Sequence, residues 1–311
     1  MRTSRRDAIA KYRLQGIAAV LGELSGTRVQ PELVQRVLDS LGLSPADLQA
    51  AAEADHGERG QKLAECLGQS VLPVFIEDER GRPERLGSCV LARVDSNFYA
   101  FTAGHVLQAA GSSRLWASPG GRGKLTLLPC VIGYHTSQTA LDVGILPLRR
   151  RALGPFEQCV FLAGSELDED DRPDDRGFSA FYFVIGYPAS RSQVKVSHET
   201  YHIHQISFQL TTSPPTVDSY LHEALPQSDY LLLDFDQKDT RVAGKRVAPP
   251  KLQGVSGGGM FHISRTTVKG PLVAIATEHR RTSRLLVGTR IKHFLAAARQ
   301  LNATAPPELF E

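Results

Sequence analysis

The stretch FYAFTAGHV (residues 98–106) runs from a short apolar segment directly into a histidine. Aromatic and small residues in such a segment, ended by a glycine, are typical of a β-strand followed by a turn. His105 lies in that turn. A histidine at a strand end fits a structural role, and it also fits a general base, because its unperturbed pKa lies near neutrality. Its interpretation depends on which other side chains the fold brings to it.

Two later stretches carry the groups that a histidine base requires. ALDVGILPL (residues 140–148) places Asp142 ahead of an apolar strand, and GVSGGGMF (residues 254–261) places Ser256 in a glycine-rich turn. A serine hydroxyl becomes a nucleophile when a base takes its proton and an acid orients that base. Backbone N–H groups of the turn can face a developing oxyanion. The order His105, Asp142, Ser256 therefore predicts acyl-transfer chemistry.

From residue 71 onward the sequence consists of short apolar segments separated by turn residues. Repeated short strands without long intervening helices are typical of an all-β barrel or sandwich, and they disfavour a doubly wound parallel sheet. The segments are VLPVFI, GSCVLARV, FYAFTAG, KLTLLPCVI, VGILPL, FYFVIGY, HQISFQL, YLLLDF, GMFHI, PLVAIAT and LLVGT.

With these motifs, residues 71–302 resemble the trypsin-like (chymotrypsin-fold) serine peptidases, closest to their bacterial, intracellular and HtrA-like branches. FTAGHV resembles the family's T-A-A-H-V stretch, LDVGIL its D-I-A-L-L stretch and GVSGGG its G-[DN]-S-G-G-P stretch. The resemblance implies two six-stranded β-barrels with the site in the crevice between them. It implies His105 as base, Asp142 as orienting acid and Ser256 as nucleophile. The oxyanion hole would be formed by the N–H groups of Gly254 and Ser256.

The sequence departs from the family pattern before the serine. Val255 stands where the family has Asp or Asn, so activation through a newly cleaved N-terminus is not expected. By the same resemblance, the substrate pocket would be lined near Pro250, Gln253, Ala276, Thr277, Glu278 and His279. Glu278 could give a preference for basic residues, and a shallow apolar pocket fits equally well.

The first 69 residues have a different pattern, with apolar residues at helical spacing. Pro31 can occupy the first position of a second helix. We therefore expect a small all-α adaptor or regulatory domain before the peptidase-like domain at 70–302. Within that domain we expect barrel 1 at about 71–150, barrel 2 at about 157–290 and a C-terminal helix at 291–301, followed by a frayed tail at 303–311.

Composition and charge argue against nucleic-acid-binding and membrane-spanning functions. The chain has 311 residues and a net charge of +3, which gives no argument for nucleic acid, and no apolar run approaches a membrane span. Four cysteines without a C-x-x-C pair, and no secretion signal, favour reduced thiols in the cytoplasm. His202 and His204 could share one strand face, but no matching ligand pattern follows, so a polar face is favoured over a metal site. We expect neither metal nor cofactor.

Other functions fit parts of the pattern. GVSGG also matches the G-x-S-x-G elbow of α/β-hydrolases, which place their acid after the serine. No aspartate follows Ser256, the only acids there are Glu278, Glu308 and Glu311, and the strand–helix alternation of that fold is missing. A second alternative is a catalytically weak or inactive trypsin-like scaffold that binds proteins, because Val255 could distort the oxyanion turn. The expected partners are a protein substrate and a regulatory protein bound through residues 1–69, in a bacterial stress or defence system. No nucleic-acid or membrane partner is expected.

Overall fold

The structure is a computed structural model. It describes residues 30–311 except for 41, 43–65, 120–121, 131–133, 136–140, 171–180, 198–199, 206, 213–214, 216, 236–240, 243–244, 247–250 and 264–269. Helix α1 (Pro31–Ser40) begins at the proline that the sequence predicts for a first helical position, and it buries Val34 and Leu38. The other predicted helices of the N-terminal domain lie wholly or largely outside the described residues, so an all-α domain stays a prediction.

The first half of the remaining chain forms an antiparallel sheet of seven strands, where the resemblance implied six. Three of the seven strands have only two residues, which is too short to leave a periodic signal in the sequence. In spatial order the strands are β6 (Thr126–Leu127), β4 (Trp116–Ala117), β1 (Val71–Glu77), β2 (Pro83–Val94), β3 (Asn97–Thr102), β8 (Gly144–Leu148) and β7 (Tyr134–His135). The turn after β3 leads into the short helix α2 (Gly104–Ala110).

The second half forms an antiparallel sheet of six strands, the number that the resemblance implied. Strand β17 lies near its centre and pairs with β16 on one side and β18 on the other. In spatial order the strands are β12 (Phe208–Thr212), β9 (Phe181–Gly186), β16 (Gly259–Ile263), β17 (Leu272–Arg280), β18 (Leu285–Arg290) and β13 (Tyr230–Asp234). The two antiparallel sheets fit the predicted double β-barrel.

Smaller elements complete the described part of the fold. A three-stranded sheet, in the order β10 (Ser192–Ser197), β11 (Thr200–Gln205) and β5 (Arg122–Lys124), pairs strands from the two halves of the chain. A two-stranded ribbon joins β14 (Arg241–Val242) and β15 (Lys245–Arg246). Helix α3 (Val217–His222) precedes β13, and helix α4 (Ile291–Thr304) follows β18.

One hydrophobic core is shared by both sheets and α4. The ring of Phe101 in the first sheet packs at a tilt against Phe294 of α4, with 5.6 Å between centroids, and Ile275 of the second sheet belongs to the same cluster. Leu67 is also part of this cluster, although the sequence assigned it to the N-terminal domain. The domain boundary at residue 70 stays a prediction, and Leu67, just before it, packs with the sheets.

The expectation of a frayed tail is wrong. Helix α4 continues to Thr304, and the backbone N–H of Arg150 then donates to the carbonyl of Phe310 at 2.9 Å. The Phe310 ring is only 9% exposed and packs 6.0 Å from the ring of Tyr99. Burial of this aromatic ring offsets the entropy cost of ordering the terminal segment.

Candidate active site

His105 and Asp142 are joined by two hydrogen bonds. The ring nitrogen Nδ1 of His105 lies 2.6 Å from Oδ2 of Asp142, and the backbone N–H of His105 donates to Oδ1 at 2.8 Å. The paired contacts fix the imidazole plane and leave Nε2 pointing away from the carboxylate. The side chains of His105 and Asp142 are 48% and 28% exposed, so the pair is accessible from solvent.

Gly104 makes this pairing possible. A Cβ at that position would lie 2.9 Å from Oδ1 of Asp142 and 2.9 Å from the carbonyl oxygen of Val143. Carbon atoms do not approach oxygens so closely, and any side chain would push the carboxylate away from His105. The glycine before the histidine is therefore required by the carboxylate that packs on it.

The turn that carries Ser256 is built from glycines in the left-handed region. Gly254 has a φ of 90° and Gly257 a φ of 85°. A Cβ on Gly257 would lie only 1.9 Å from the carbonyl oxygen of Ser88 in β2. The turn therefore packs directly on the main chain of the first sheet, which no other residue at this position would allow.

Three close approaches bring the Ser256 turn to the region of His105. The N–H of Ser88 donates to the Ser256 carbonyl at 2.7 Å, across the boundary between the two sheets. A Cβ on Gly87 would lie 2.9 Å from Val106, the residue after His105, and 3.1 Å from the same Ser256 carbonyl. The structure thus brings the three predicted segments to one place at the junction of the sheets.

The Ser256 hydroxyl has a partner other than His105. Its Oγ donates to the carbonyl of Thr277 at 3.4 Å, and within the described part of the chain no hydrogen bond joins Ser256 to His105. Thr277 is the extra residue of a bulge in β17, where the pairing with β18 shifts between Ala276 and Glu278. Bulges commonly redirect groups next to functional sites. Here the bulge turns a carbonyl toward the serine.

Two peptide groups, 253–254 and 255–256, carry the N–H groups predicted to form the oxyanion hole. The carbonyl of each peptide accepts a hydrogen bond that fixes its orientation. The Gln253 carbonyl accepts from Ala189 N–H at 2.7 Å, and the Val255 carbonyl accepts from Gly258 N–H at 2.8 Å. In a trans peptide the N–H points opposite to the C=O. The N–H groups of Gly254 and Ser256 are therefore aimed away from these bonds, and in the described residues they donate to no other group.

Val255 does not distort this turn. Its side chain is 3% exposed and belongs to the core of the second sheet. A Cβ on Gly186 would lie 2.9 Å from Cγ1 of Val255, so this glycine leaves the space that the valine fills. The apolar residue before the serine anchors the turn by burial, where the family pattern has an acid or an amide.

The predicted pocket residues fall into different environments. Ala276 and Thr277 adjoin the serine turn: the N–H of Gly257 donates to the Ala276 carbonyl at 2.7 Å. Ala276 directs its side chain into the core of the second sheet. Pro250 lies outside the described residues, and the exposed Gln253 contributes the carbonyl that fixes the turn.

Glu278 and His279 are both engaged with neighbours. Oε2 of Glu278 accepts a hydrogen bond from Arg280 at 3.1 Å, so the carboxylate already has a cation partner. The His279 ring packs edge-on against Phe235, 5.2 Å between centroids. Burial, helped by the charge of Arg281, lowers the pKa of His279. Neither side chain is free for a substrate without losing a contact.

Sequence reasoning missed the residues of β2 that support the turn. Ser88 Oγ accepts from the Tyr187 N–H at 3.0 Å and donates to the Gly254 carbonyl at 2.9 Å. Arg85 donates to the same Gly254 carbonyl at 3.1 Å. Their partners are main-chain atoms distant in sequence, so no local motif marks them.

Two features of the described residues bear on metal-dependent and membrane-spanning functions. Among the described residues, His, Cys, Asp and Glu nowhere gather in threes around a point that could hold a metal ion. None of the helices in the described part combines the length and apolar character that crossing a bilayer requires.

Comparison with known proteins gives likenesses in structure and none in sequence. No protein-family model matches the chain, and no curated protein sequence matches it. The chain is similar in structure to a thermostable serine protease from an extremophilic microorganism, with a TM-score of 0.45 and 12% sequence identity. The likeness covers 75% of this chain and 98% of that protein.

Proposed function

We propose that the chain is a serine endopeptidase of the trypsin-like type. The observation that carries the proposal is the paired contact of His105 with Asp142 beside a serine turn whose two N–H groups have no other acceptor among the described residues. A base, an orienting acid, a hydroxyl and a preorganised pair of donors are the parts that acyl transfer needs.

In the proposed reaction, Oγ of Ser256 attacks a peptide carbonyl carbon while Nε2 of His105 accepts the hydroxyl proton. The carbonyl oxygen becomes negative and is met by the N–H groups of Gly254 and Ser256. His105 then gives its proton to the leaving amine, and an acyl-enzyme forms. Water, deprotonated by His105, releases the acid product. Asp142 stabilises the imidazolium in both steps.

The starting position of the serine hydroxyl adds one requirement. Its proton is directed at the Thr277 carbonyl, so Oγ has to rotate about the Cα–Cβ bond to donate to His105. Catalytic hydrogen bonds are often long or absent before substrate binds. A peptide that pairs with the β17 segment around Thr277 would compete for this carbonyl and release the hydroxyl.

Covalent labelling tests this proposal. A fluorophosphonate probe reacts with an activated serine and does not need the natural substrate to be known. We expect wild-type protein to be labelled on Ser256 and Ser256→Ala or His105→Ala protein to remain unlabelled. Ser207→Ala is the matched serine control and should label like wild type. A wild-type protein that resists the probe while fully folded would favour the inactive, protein-binding scaffold.

Control of the activity is assigned to the N-terminal residues. We place the protein in the cytoplasm, in the bacterial HtrA-like branch, with residues 1–69 binding a regulatory protein in a stress or defence system. Because Leu67 packs in the shared core, the test should remove residues 1–65 only. Unchanged peptidase activity and unchanged capture of partners after that truncation would end this part of the proposal.

A further inference from the structure

Arg85 of β2 lies where the two sheets meet and binds main-chain atoms from both. Its guanidinium donates to the carbonyls of Val74 at 3.0 Å and Gly254 at 3.1 Å, and to the carbonyl of Tyr187 through both Nε and Nη2. It also donates to Ser88 Oγ at 3.2 Å. One side chain thus connects the first sheet, the segment after β9 and the serine turn.

The positive charge of Arg85 is surrounded by neutral oxygens and aromatic rings. Among the described residues no carboxylate pairs with it. Its partners are carbonyl and hydroxyl oxygens and the faces of two rings, with its Cζ 5.2 Å from the centroid of Phe75 and 5.9 Å from that of Tyr187. Burial lowers the pKa of Arg85 to about 9, so the side chain keeps its charge near neutral pH. The side chain is half-buried, and drawing a cation partly out of water without a counterion is costly unless hydrogen bonds replace its hydration. The five hydrogen bonds of the guanidinium to carbonyl and hydroxyl oxygens do so here.

The group that Arg85 holds is the middle peptide of the oxyanion turn. The carbonyls on either side, of Gln253 and Val255, are fixed by Ala189 and Gly258 N–H groups. Among the described residues, the Gly254 carbonyl between them accepts hydrogen bonds from Arg85 and Ser88 only, and the N–H of the same peptide, that of Val255, donates to the Leu252 carbonyl at 2.9 Å. Gly254, with φ at 90°, lies in the left-handed region, where glycine has the most conformational freedom. A rotation of the 254–255 peptide would strain the two flanking peptides, and these carry the N–H groups of Gly254 and Ser256.

We propose that Arg85 is a positioning residue that keeps the oxyanion turn in its working geometry from outside the turn. The inference rests on the proposed peptidase function. The turn itself carries the apolar Val255 and no acid, so no charge within it can fix its peptide groups. A guanidinium is suited to the task, because its planar fork reaches several carbonyls at once, which a lysine ammonium on a flexible stem cannot do.

Substitution of Arg85 tests the proposal. We expect Arg85→Gln to lower kcat about 10- to 100-fold with KM little changed, less than the 10²–10³-fold of deleting an oxyanion donor outright. Arg85→Lys should recover only part of the loss. Arg93→Gln removes an exposed arginine from the same strand and should leave kcat unchanged. Ser88→Ala, which removes the second donor to the Gly254 carbonyl, should lower kcat in the same manner if the Arg85 variants fold poorly.

A transition-state analogue separates positioning from general destabilisation. A peptide boronic acid uses the oxyanion hole, whereas the matching peptide carboxamide does not, so Arg85→Gln should weaken binding of the boronic acid selectively. Equal weakening of both ligands, or a lowered melting temperature with unchanged kcat, would overturn the proposal.

Hydrogen exchange keeps this inference separate from the peptidase assignment. In Arg85→Gln protein, amide exchange should become faster in the peptide covering residues 252–258 and should stay as in wild type in α4. This readout needs no activity. If wild-type protein shows no peptidase activity but Arg85→Gln still speeds amide exchange in 252–258, the peptidase proposal is wrong and the positioning role of Arg85 stands. If exchange in 252–258 is the same in both proteins, the positioning role is rejected.

Discussion

Replacing Asp142 with asparagine separates the orienting role of the carboxylate from its structural role. The carboxylate accepts two hydrogen bonds, one from the His105 backbone N–H and one from the ring at Nδ1. An asparagine of the same shape can keep the first bond through its oxygen. Its NH₂ group, however, must donate to Nδ1, which places the ring proton on Nε2.

The size of the effect follows from that reversed tautomer. With a proton on Nε2, the ring cannot accept the proton of Ser256, and Asp-to-Asn changes of this kind lower kcat by about 10⁴-fold. This equals about 5 kcal/mol of transition-state stabilisation at 1.36 kcal/mol for each factor of ten. Stability should change little, because the backbone bond and the packing on Gly104 remain.

The assay is the second-order rate of fluorophosphonate labelling, with thermal unfolding measured on the same samples. Asp229→Asn is the matched control, since Asp229 forms an analogous contact with His293 at 3.1 Å outside the proposed site. We expect labelling to fall steeply in Asp142→Asn and to stay at the wild-type rate in Asp229→Asn. Labelling of folded Asp142→Asn protein at the wild-type rate would refute the orienting role.

Three further predictions concern the fold around the site. Gly257→Ala should lower the free energy of unfolding by about 3 kcal/mol or more, because its Cβ would meet the Ser88 carbonyl, while Gly154→Ala, with open space around it, should cost far less in urea unfolding. Burial and the charge of Arg281 lower the pKa of His279, so the folded protein favours the neutral ring and its free energy of unfolding should fall as pH drops below about 6.5. The variant His279→Phe should show a smaller difference in unfolding free energy between about pH 7.5 and pH 5. A difference as large as in wild type would contradict this. Burial raises the pKa of Cys89 to about 12, so iodoacetamide at about pH 8 should modify the exposed Cys66 and spare Cys89 in native protein, as mapped by mass spectrometry; early modification of Cys89 would contradict its burial.

The sequence predicts those features that are encoded locally. Short motifs contain the three predicted catalytic residues, His105, Asp142 and Ser256. The glycines beside them, such as Gly104 and Gly257, are needed because other atoms approach their backbone too closely for a side chain. Most strands of five residues or more leave a pattern of apolar residues and are predicted from it. The exception is β10, whose apolar residues alternate with polar ones and which lies in none of the predicted segments. The cluster of glycines around Ser256 also predicts positive φ angles in that turn.

Features that depend on distant partners could not be predicted. Arg85 resembles any strand arginine until the carbonyls of residues 187 and 254 are placed around it. Val255 appeared as a possible distortion because the space left by Gly186 is visible only in three dimensions. Phe310 follows two prolines near the chain end, and only its packing on Tyr99 shows that the tail is ordered.

A crystal structure of the protein after reaction with a fluorophosphonate tests the central claim most directly. The account predicts phosphorus bonded to Oγ of Ser256, with the phosphoryl oxygen about 2.7–3.1 Å from the backbone nitrogens of Gly254 and Ser256. It also predicts His105 Nε2 facing the adduct and Nδ1 still bound to Asp142. An adduct on another residue, or a phosphoryl oxygen turned away from both amide groups, would contradict it.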